Sequence, residues 1–374
     1  MRSKTLVATL FTALIVGSAV GPAALAASSD GNAVTGATVS FRTDGNAIVD
    51  YSVEDDTVVE SMTVQSRSNA LASGEISVGI GLAALTDLSG SVLSLQSSGQ
   101  ASTTIAAGSG ATIRAHDSSN GILVVDSSGG TQYVTANVSS DATVESESDD
   151  RVVVTTESGT TTTFIAVGDA DVVVNDAGNV SAEVGSSGSL VARSYAGERT
   201  ADDEETEEMI ADGTAAAEVY VRESADASGE FVAGVANYSQ DTAVEVTRTS
   251  EGQVEMTAER AESEGRVVIT SVSEAVIESM DDVSVTVDGE AAAEASSYSE
   301  LRSAADGGDN SRFLVRQSSS AEASADVLIA INHFSERDVT VSGGGGSGPG
   351  LPGFGVGVAV LALLALAVIA ARRR

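Results

Sequence analysis

Short runs rich in valine and isoleucine recur along this sequence, and they restrict the fold more than any other feature. In many of them apolar and polar residues alternate, as where Ser284 and Thr286 separate Val283, Val285 and Val287. A period of two places the apolar side chains on one face of a strand. Glycine, serine, aspartate and asparagine separate the runs and favour turns. Strands are predicted at residues 47–53, 58–64, 76–82, 122–125, 151–156, 171–174, 180–184, 218–222, 243–247, 266–270, 283–287, 313–315 and 327–331.

Closely spaced strands without intervening helices predict an all-β or β-rich α+β fold, with one or two β-sandwich or solenoid-like domains. Aromatic residues are only 3% of the chain and tryptophan is absent, so the core must be built from valine, isoleucine, leucine and alanine. The clearest helical candidate is the alanine- and glutamate-rich stretch 290–305, which stops before Asp306, Gly307 and Gly308. A C-terminal transmembrane helix is also predicted, for reasons given below.

The chain is strongly acidic, with 54 Asp and Glu against 19 Lys and Arg. Every acid lies within residues 27–350, whereas five of the cations lie outside, so this middle part has 40 more acids than bases. Lys4 is the single lysine. An acidic, disordered solvating segment is one interpretation. The interleaved Val and Ile runs favour the other, a folded body adapted to molar salt, where the screening length falls to about 3 Å.

Two functional classes are disfavoured by composition. The chain has no cysteine, which excludes disulfides, thiolate metal sites and cysteine nucleophiles. It has no basic patch, so nucleic acid is not an expected partner. No cofactor is expected either.

The N-terminus is typical of a secretory signal peptide. Arg2 and Lys4 precede an apolar run over residues 5–20, and Ala24-Leu25-Ala26 forms an A-x-A site, which predicts cleavage after Ala26. A retained membrane anchor is the alternative, and the short run and the alanine-rich exit favour cleavage.

The C-terminus has three parts in a fixed order. Residues 342–350 form a flexible glycine-rich spacer, Pro352, Gly353 and Phe354 follow Leu351, and residues 355–371 are apolar and uncharged. A helix of that length spans about 25 Å, which is enough for a membrane core. Three arginines, 372–374, close the chain; because positive charge stays on the cytoplasmic side, the body is expected to face outward.

This layout resembles the PGF-CTERM sorting signal of haloarchaeal secreted proteins, with Pro352, Gly353 and Phe354 as its tripeptide. The resemblance covers only the last 25 or so residues and says nothing about the preceding fold. It implies recognition by an archaeosortase-type membrane protease, removal of the tail and attachment of a lipid, by a logic that parallels a GPI signal. An ordinary C-terminal transmembrane anchor is the alternative. Under either interpretation the expected location is the extracellular face of the plasma membrane.

The body divides at residues 198–208 (ERTADDEETEE), which are almost all charged or small and are predicted to be an acidic linker or exposed loop. The predicted organisation is a signal peptide at 1–26, an N-terminal β-rich domain at 27–197, a C-terminal β-rich domain at 209–341, a spacer at 342–351 and the sorting tail at 352–374. Similar five-residue strings at 58–62 and 276–280 are compatible with a duplication, and each is expected to precede a strand.

Candidate chemistry is sparse. His116 and His333 are the two histidines, and no nucleophile motif accompanies either. Clusters at Asp169, Asp171 and Asp176, and at Asp306 and Asp309, have the oxygen ligands that calcium prefers, but solvated loops are the favoured interpretation. Asn-x-Ser sequons lie at Asn137, Asn179 and Asn237, and the threonines at 160–163 are candidates for O-linked sugar.

The sequence therefore predicts a non-enzymatic protein anchored at the cell surface: an envelope or S-layer component, an adhesin or a ligand-presenting module. Its expected partners are a membrane lipid anchor, the secretion machinery, the archaeosortase-type enzyme and envelope glycoproteins. The alternative is a membrane-tethered extracellular hydrolase, which requires a concave site around His116 or His333 with converging carboxylates. A solute-binding protein is a third hypothesis, disfavoured because helical patterns are rare.

Overall fold

A computed structural model describes residues 33–224, 230–273, 276–277, 279, 282–317 and 324–343. Fifteen strands precede residue 200, and their bounds are as follows: β1 (Ala33–Thr35), β2 (Val39–Asp44), β3 (Ala47–Val53), β4 (Asp56–Ser66), β5 (Leu93–Ser98), β6 (Ser102–Ala107), β7 (Ala111–His116), β8 (Ile122–Ser127), β9 (Gln132–Val138), β10 (Thr143–Ser146), β11 (Arg151–Thr155), β12 (Thr161–Val167), β13 (Ala170–Val174), β14 (Val180–Val184) and β15 (Ser189–Tyr195).

Eleven more strands follow in the described part of the chain: β16 (Ala215–Glu223), β17 (Phe231–Asn237), β18 (Thr242–Ser250), β19 (Gln253–Arg260), β20 (Glu264–Ser273), β21 (Ser284–Val287), β22 (Glu290–Ala291), β23 (Ala293–Glu294), β24 (Arg312–Gln317), β25 (Ser324–His333) and β26 (Glu336–Ser342). Three α-helices, α1 (Arg67–Ser73), α2 (Ala201–Ala211) and α3 (Tyr298–Ala305), and a short 3-10 turn (Leu82–Ala84) complete the structure.

The strands form four sheets, and the β-rich prediction is confirmed. Sheet 1 has the order β1-β2-β3-β4-β9-β14-β13 and sheet 2 the order β10-β11-β12-β15-β8-β7-β6-β5. Sheet 3 runs β17-β16-β20-β25-β24-β23 and sheet 4 runs β18-β19-β26-β21-β22. All described pairings are antiparallel except β16 with β20 and β23 with β24.

Two apolar cores lie between sheets packed face to face. Val64 and Val134 from sheet 1 meet Phe164 and Val125 from sheet 2 in the first core. Sheets 3 and 4 enclose a second core in the same way. Each pair of sheets is a sandwich, because each sheet buries one apolar face against the other.

A third core joins the two sandwiches. It contains Ile122 and Ile165 from sheet 2, Ile269 and Leu328 from sheet 3, and Met209 from α2. Sheets 2 and 3 are therefore covered on both faces, and the fold has four layers. This explains why β8 and β12 are buried along their whole length instead of at alternate residues.

The prediction of an acidic linker or exposed loop at residues 198–208 is wrong, because most of this segment belongs to a helix. The helix α2 begins after Thr200, whose hydroxyl accepts from the Asp203 N–H while the Asp203 carboxylate accepts from the Thr200 N–H. Acids in the first turn also suit the positive end of the helix dipole. The segment folds because Met209 and Ile210 bury themselves in the third core.

Three smaller expectations differ from the structure. Residues 76–82 form no strand, since Gly79 has a positive φ and no neighbouring strand pairs with the segment. The predicted helix 290–305 begins only at Tyr298, after Ser297 caps it, and β22 and β23 take the residues before it. The string at 58–62 lies inside β4, whereas Val276 lies in a turn, so the two strings occupy different structures.

Candidate functional site

A group of charged and phenolic side chains lies buried between the sandwiches, beside the third core; we call it the interface cluster. Its members are Arg193, Tyr195, Glu207, Glu218, Tyr238 and Asp326. Strand periodicity puts them there. In β15, Leu190 and Ala192 face the first core while Val191 and Arg193 face sheet 3; in β16, Val219 faces the second core while Glu218 faces sheet 2.

Glu218 is the centre of the interface cluster, and its side chain is fully buried. Its carboxylate accepts from Arg193 Nε at 3.1 Å, from Asn120 Nδ2 at 3.1 Å and from the Tyr238 hydroxyl at 2.7 Å. Arg193 and Asn120 belong to the first sandwich and Glu218 to the second. A buried charge is tolerated only when it is paired and hydrogen-bonded, so these bonds hold the sandwiches in one arrangement.

The same arginine extends the cluster toward α2. Arg193 Nη1 donates to the Tyr195 hydroxyl at 2.5 Å, and that hydroxyl donates to Glu207 Oε1 at 2.8 Å. Arg199 completes this series of hydrogen bonds by donating from Nε to both Glu207 oxygens, at 3.0 and 3.1 Å. The positive charge of Arg199 thereby balances the negative charge of Glu207, whose side chain is fully buried.

Asp326 is the titratable member of the cluster. Burial raises the pKa of its carboxyl to about 6; Arg193 acts in the opposite direction, and Glu218 adds to the rise. Asp326 Oδ1 lies 2.5 Å from the Ser271 hydroxyl. Sequence reasoning missed the whole cluster, since carboxylates are abundant in this chain. The available signal was a charged residue with apolar or small neighbours inside a strand, as at Arg193 and Glu218.

His116 also lies at this interface and is not placed to act on a substrate. Its side chain is buried, and Nδ1 is 3.2 Å from the Tyr220 hydroxyl of β16. Burial, and then the nearby Arg114, lower its pKa to about 3. The imidazole is therefore neutral near pH 7. Through its contact with Tyr220, His116 helps to hold the two sandwiches together.

His333 lies in a different environment, a solvent-exposed groove of about 770 Å³ that we call the His333 groove. Four elements contribute to it: α2, α3, the start of β20 and the end of β25. Its polar lining includes Glu205, Glu264, Arg266, Tyr298, Arg302, Asp306, Asn332 and His333.

Glu264 and His333 are directly opposite each other across the antiparallel pair β20 and β25. Side chains at such positions leave the sheet on the same face, with Cβ atoms about 5 Å apart. The intervening Gly265 lets α3 approach the strands. A Cβ there would collide with the carbonyl oxygens of Ala305, Ile331 and Asn332.

The rest of the groove is held by ion pairs and hydrogen bonds. Arg302 of α3 forms an ion pair with Asp212 and lies 3.3 Å from Glu208 and 3.7 Å from Glu205, all three on or just after α2. Asn332 Nδ2 donates to the Gly308 carbonyl at 3.0 Å and fixes the loop that contains Asp306. The wall of the groove is thus anchored to α2 and to the loop after α3.

The remaining candidate residues are dispersed. In the ranges that the structure describes, no three His, Asp or Glu side chains come close enough to share a metal ion, and this includes the aspartates considered for calcium. Asn137 Nδ2 donates to Ser61 Oγ at 3.0 Å, and Asn179 Oδ1 accepts from the Val138 N–H at 3.1 Å. Asn237 lies in β17 with a buried Oδ1. Glycosylation at the three sequons stays a prediction.

The sorting segments lie outside the described residues. These are Ala24 and Ala26 at the signal site, and Pro352, Gly353, Phe354 and the apolar segment that follows. Among the helices that the structure does describe, none is long and apolar enough to cross a membrane.

Comparison with known proteins finds no matching family model and no matching curated protein. One similar solved structure is a mutant of a glycoside hydrolase family 81 protein from Clostridium thermocellum, with a TM-score of 0.38 and 10% identity. The match covers 84% of this chain and 35% of that one, so this chain spans about a third of its length.

The similar protein is named as a hydrolase, the class given above as the alternative, and not as a non-enzymatic surface module, so the main prediction is not carried forward. A likeness at this TM-score carries no argument about activity or substrate. The case for an enzyme must therefore come from the residues of this chain.

Replacing Arg193 by methionine should destabilise the protein by about 3–5 kcal/mol, because it leaves Glu218 charged and unpaired in the interior. The free energy of unfolding is measured by urea titration at constant molar KCl. Arg248→Met is the control, since Arg248 is 65% exposed and lies 3.7 Å from Glu255, and it should cost less than about 1 kcal/mol. Equal effects of the two substitutions would contradict the role given to Arg193.

Asp326 should make stability fall as pH rises. Its folded-state pKa of about 6 exceeds the ordinary value of 3.8, so its contribution is fully present below pH 4 and is lost as pH rises through 6. The difference in unfolding free energy between wild type and Asp326→Asn isolates this effect from the other carboxyls. Between pH 4 and pH 8 that difference should shift against the wild type by about 3 kcal/mol. A difference that does not depend on pH would refute the assignment.

Proposed function

We propose that this chain is a membrane-tethered extracellular hydrolase and that the His333 groove is its active site. One observation carries the proposal: His333 and Glu264 are cross-strand partners in a groove that also contains Glu205 and Asp306. A concave site around a histidine with converging carboxylates is what the hydrolase alternative required. His116 does not meet that requirement, because it is buried.

Glu264 and His333 supply the two proton transfers that hydrolysis needs. Glu264, as a carboxylate, takes a proton from a water molecule whose oxygen forms the bond to the electrophilic carbon. His333, as an imidazolium, gives a proton to the leaving group as its bond to that carbon breaks. Histidine is the side chain that enzymes use most often for general acid–base catalysis.

The lining of the groove indicates the kind of substrate. Arg266 lies beside Glu264, with Arg266 Nη2 3.8 Å from Glu264 Oε2, and Ser299 and Ser303 of α3 add hydroxyl groups. Polar groups of both signs on an open surface suit a hydrated polymer with hydroxyl or amide groups better than an apolar molecule. Envelope polymer or external polymer is therefore the proposed substrate.

The location of the enzyme rests on the ends of the sequence. The basic start, the short apolar run and Ala24-Leu25-Ala26 support export, and Pro352-Gly353-Phe354 with the apolar segment and terminal arginines supports anchoring. Lipid attachment after tail removal is part of the proposal, as are the secretion machinery and an archaeosortase-type enzyme as partners. The acidic surface suits work in brine.

Glu264→Gln and His333→Gln should each lower hydrolysis by about 100-fold or more, since each removes a proton-transfer group. Full-length protein in detergent is incubated in molar KCl with haloarchaeal cell envelopes, β-glucan and casein. Released reducing ends report glycosidic cleavage, and released amines report amide cleavage.

The matched control for these substitutions is Glu262→Gln. Glu262 is 65% exposed just before β20, pairs with Arg260 and does not line the groove. It should keep wild-type activity. The proposal fails if wild-type protein releases nothing from these substrates, or if Glu264→Gln is as active as Glu262→Gln.

The sorting prediction is tested by the mass of the mature protein from native cells. Wild-type protein should begin at Ala27 and lack Arg372, Arg373 and Arg374. Phe354→Ala should retain the tail, because it alters the tripeptide, whereas Leu351→Ala just outside it should be processed normally. Recovery of wild-type protein with an intact C-terminus would contradict tail removal.

A further inference from the structure

Asn120 and Gly121 form the single Asn-Gly dipeptide of the chain. An asparagine followed by glycine loses its side-chain amide readily, because glycine has no side chain to hinder the approach of its nitrogen to the amide carbon. The Gly121 nitrogen bonds to Asn120 Cγ, and the amide nitrogen leaves as ammonia with the Gly121 proton, which gives a cyclic imide. Water then opens the imide to aspartate or to isoaspartate, in which the main chain runs through the former side chain.

In the folded chain this dipeptide lies in the contact between the two sandwiches. Asn120 is 1% exposed, and its Nδ2 donates to Glu218 Oε1 of the second sandwich at 3.1 Å. The Gly121 N–H donates to the Ser118 carbonyl at 3.0 Å. Both reacting groups are therefore engaged in hydrogen bonds, and the water that the second step needs does not reach Asn120.

The main chain of the dipeptide is fixed as firmly as the Asn120 side chain. Gly121 has a φ of 46°, in the left-handed region, and a Cβ there would lie 2.8 Å from Val53 Cγ2. The Gly121 carbonyl accepts from the Tyr51 hydroxyl at 2.7 Å, and the Asn120 carbonyl accepts from the Ser194 N–H at 2.6 Å. The Gly121 nitrogen cannot move onto Asn120 Cγ without breaking these contacts.

We propose that Asn120–Gly121 is a deamidation site that reacts only while the two sandwiches are apart, and that its product stops them from docking. Separation frees the Asn120 amide from Glu218 and admits water, as happens in the unfolded chain or during local opening. Aspartate at position 120 places a second carboxylate beside Glu218, which already shares Arg193 with Asp326. Isoaspartate adds one atom to the main chain next to the closely packed Gly121. This inference does not depend on the hydrolase proposal.

Peptide mass spectrometry of the full-length chain, kept in detergent and molar KCl at mildly alkaline pH, tests the protection. Asn120 should convert at least about tenfold more slowly in the native chain than in concentrated urea, because only the open state reacts. Arg193→Met should speed conversion in the native chain by about tenfold or more, since it leaves Glu218 unpaired, whereas the control Arg248→Met should not. Asn310 is exposed and precedes Ser311, so it is the internal reference and should convert at similar rates in both solvents.

The effect of the product is tested with Asn120→Asp, compared with Asn120→Ala by urea titration near neutral pH. Asn120→Asp should unfold at the lower urea concentration, because alanine removes one hydrogen bond whereas aspartate adds a buried charge. The gap between the two variants should shrink at acidic pH, where protonation removes that charge. Equal conversion of Asn120 in the native and unfolded chains would overturn the protection. An Asn120→Asp chain as stable as wild type would overturn the effect on docking.

Discussion

The contact between sheets 2 and 3 is the constraint on which the rest of the structure depends. Each of these sheets must bury both faces, one in its own sandwich and one against the other sheet. Part of the shared face is apolar, around Ile165 and Leu328, and part is charged, around Glu218. Apolar packing supplies non-directional stabilisation, whereas the bonds of Glu218 to Arg193 and Asn120 fix the relative orientation. The His333 groove depends on that orientation, because Arg302 of one wall is held by acids on or just after α2.

Charge has opposite roles in the interior and at the surface. Outside, the excess of acids keeps the chain hydrated, a role that suits high salt, where the repulsion between the acids is screened. Inside, every acid of the interface cluster needs a specific partner, and Arg193 and Arg199 serve this purpose. Arg193 and Arg199 each contact more than one carboxylate. In a protein with so few cations, their placement says more about the structure than the placement of the acids.

Much of the secondary structure could be predicted from the sequence, because strand periodicity is a local property. Residues 47–53 and 180–184 coincide with β3 and β14, and Val285 and Val287 point inward as expected. The acidic segment before Met209 was misinterpreted, because its charges suggested exposure. Its Thr200-x-x-Asp203 capping pattern was the local signal for a helix, but only burial against a second sandwich explains why that helix is stable.

For the candidate site too, some features could be predicted from the sequence and others could not. The sequence by itself determined the strand-rich body, the acidic surface and the two histidines as the only imidazoles, since composition and alternation are written in the chain. Only the tertiary structure decided that His116 is buried and that His333 faces Glu264 in a groove. It alone showed that Arg193, Glu218 and Asp326 meet. These residues are far apart in sequence, and their contact depends on how the sheets pair and stack, which no local pattern specifies.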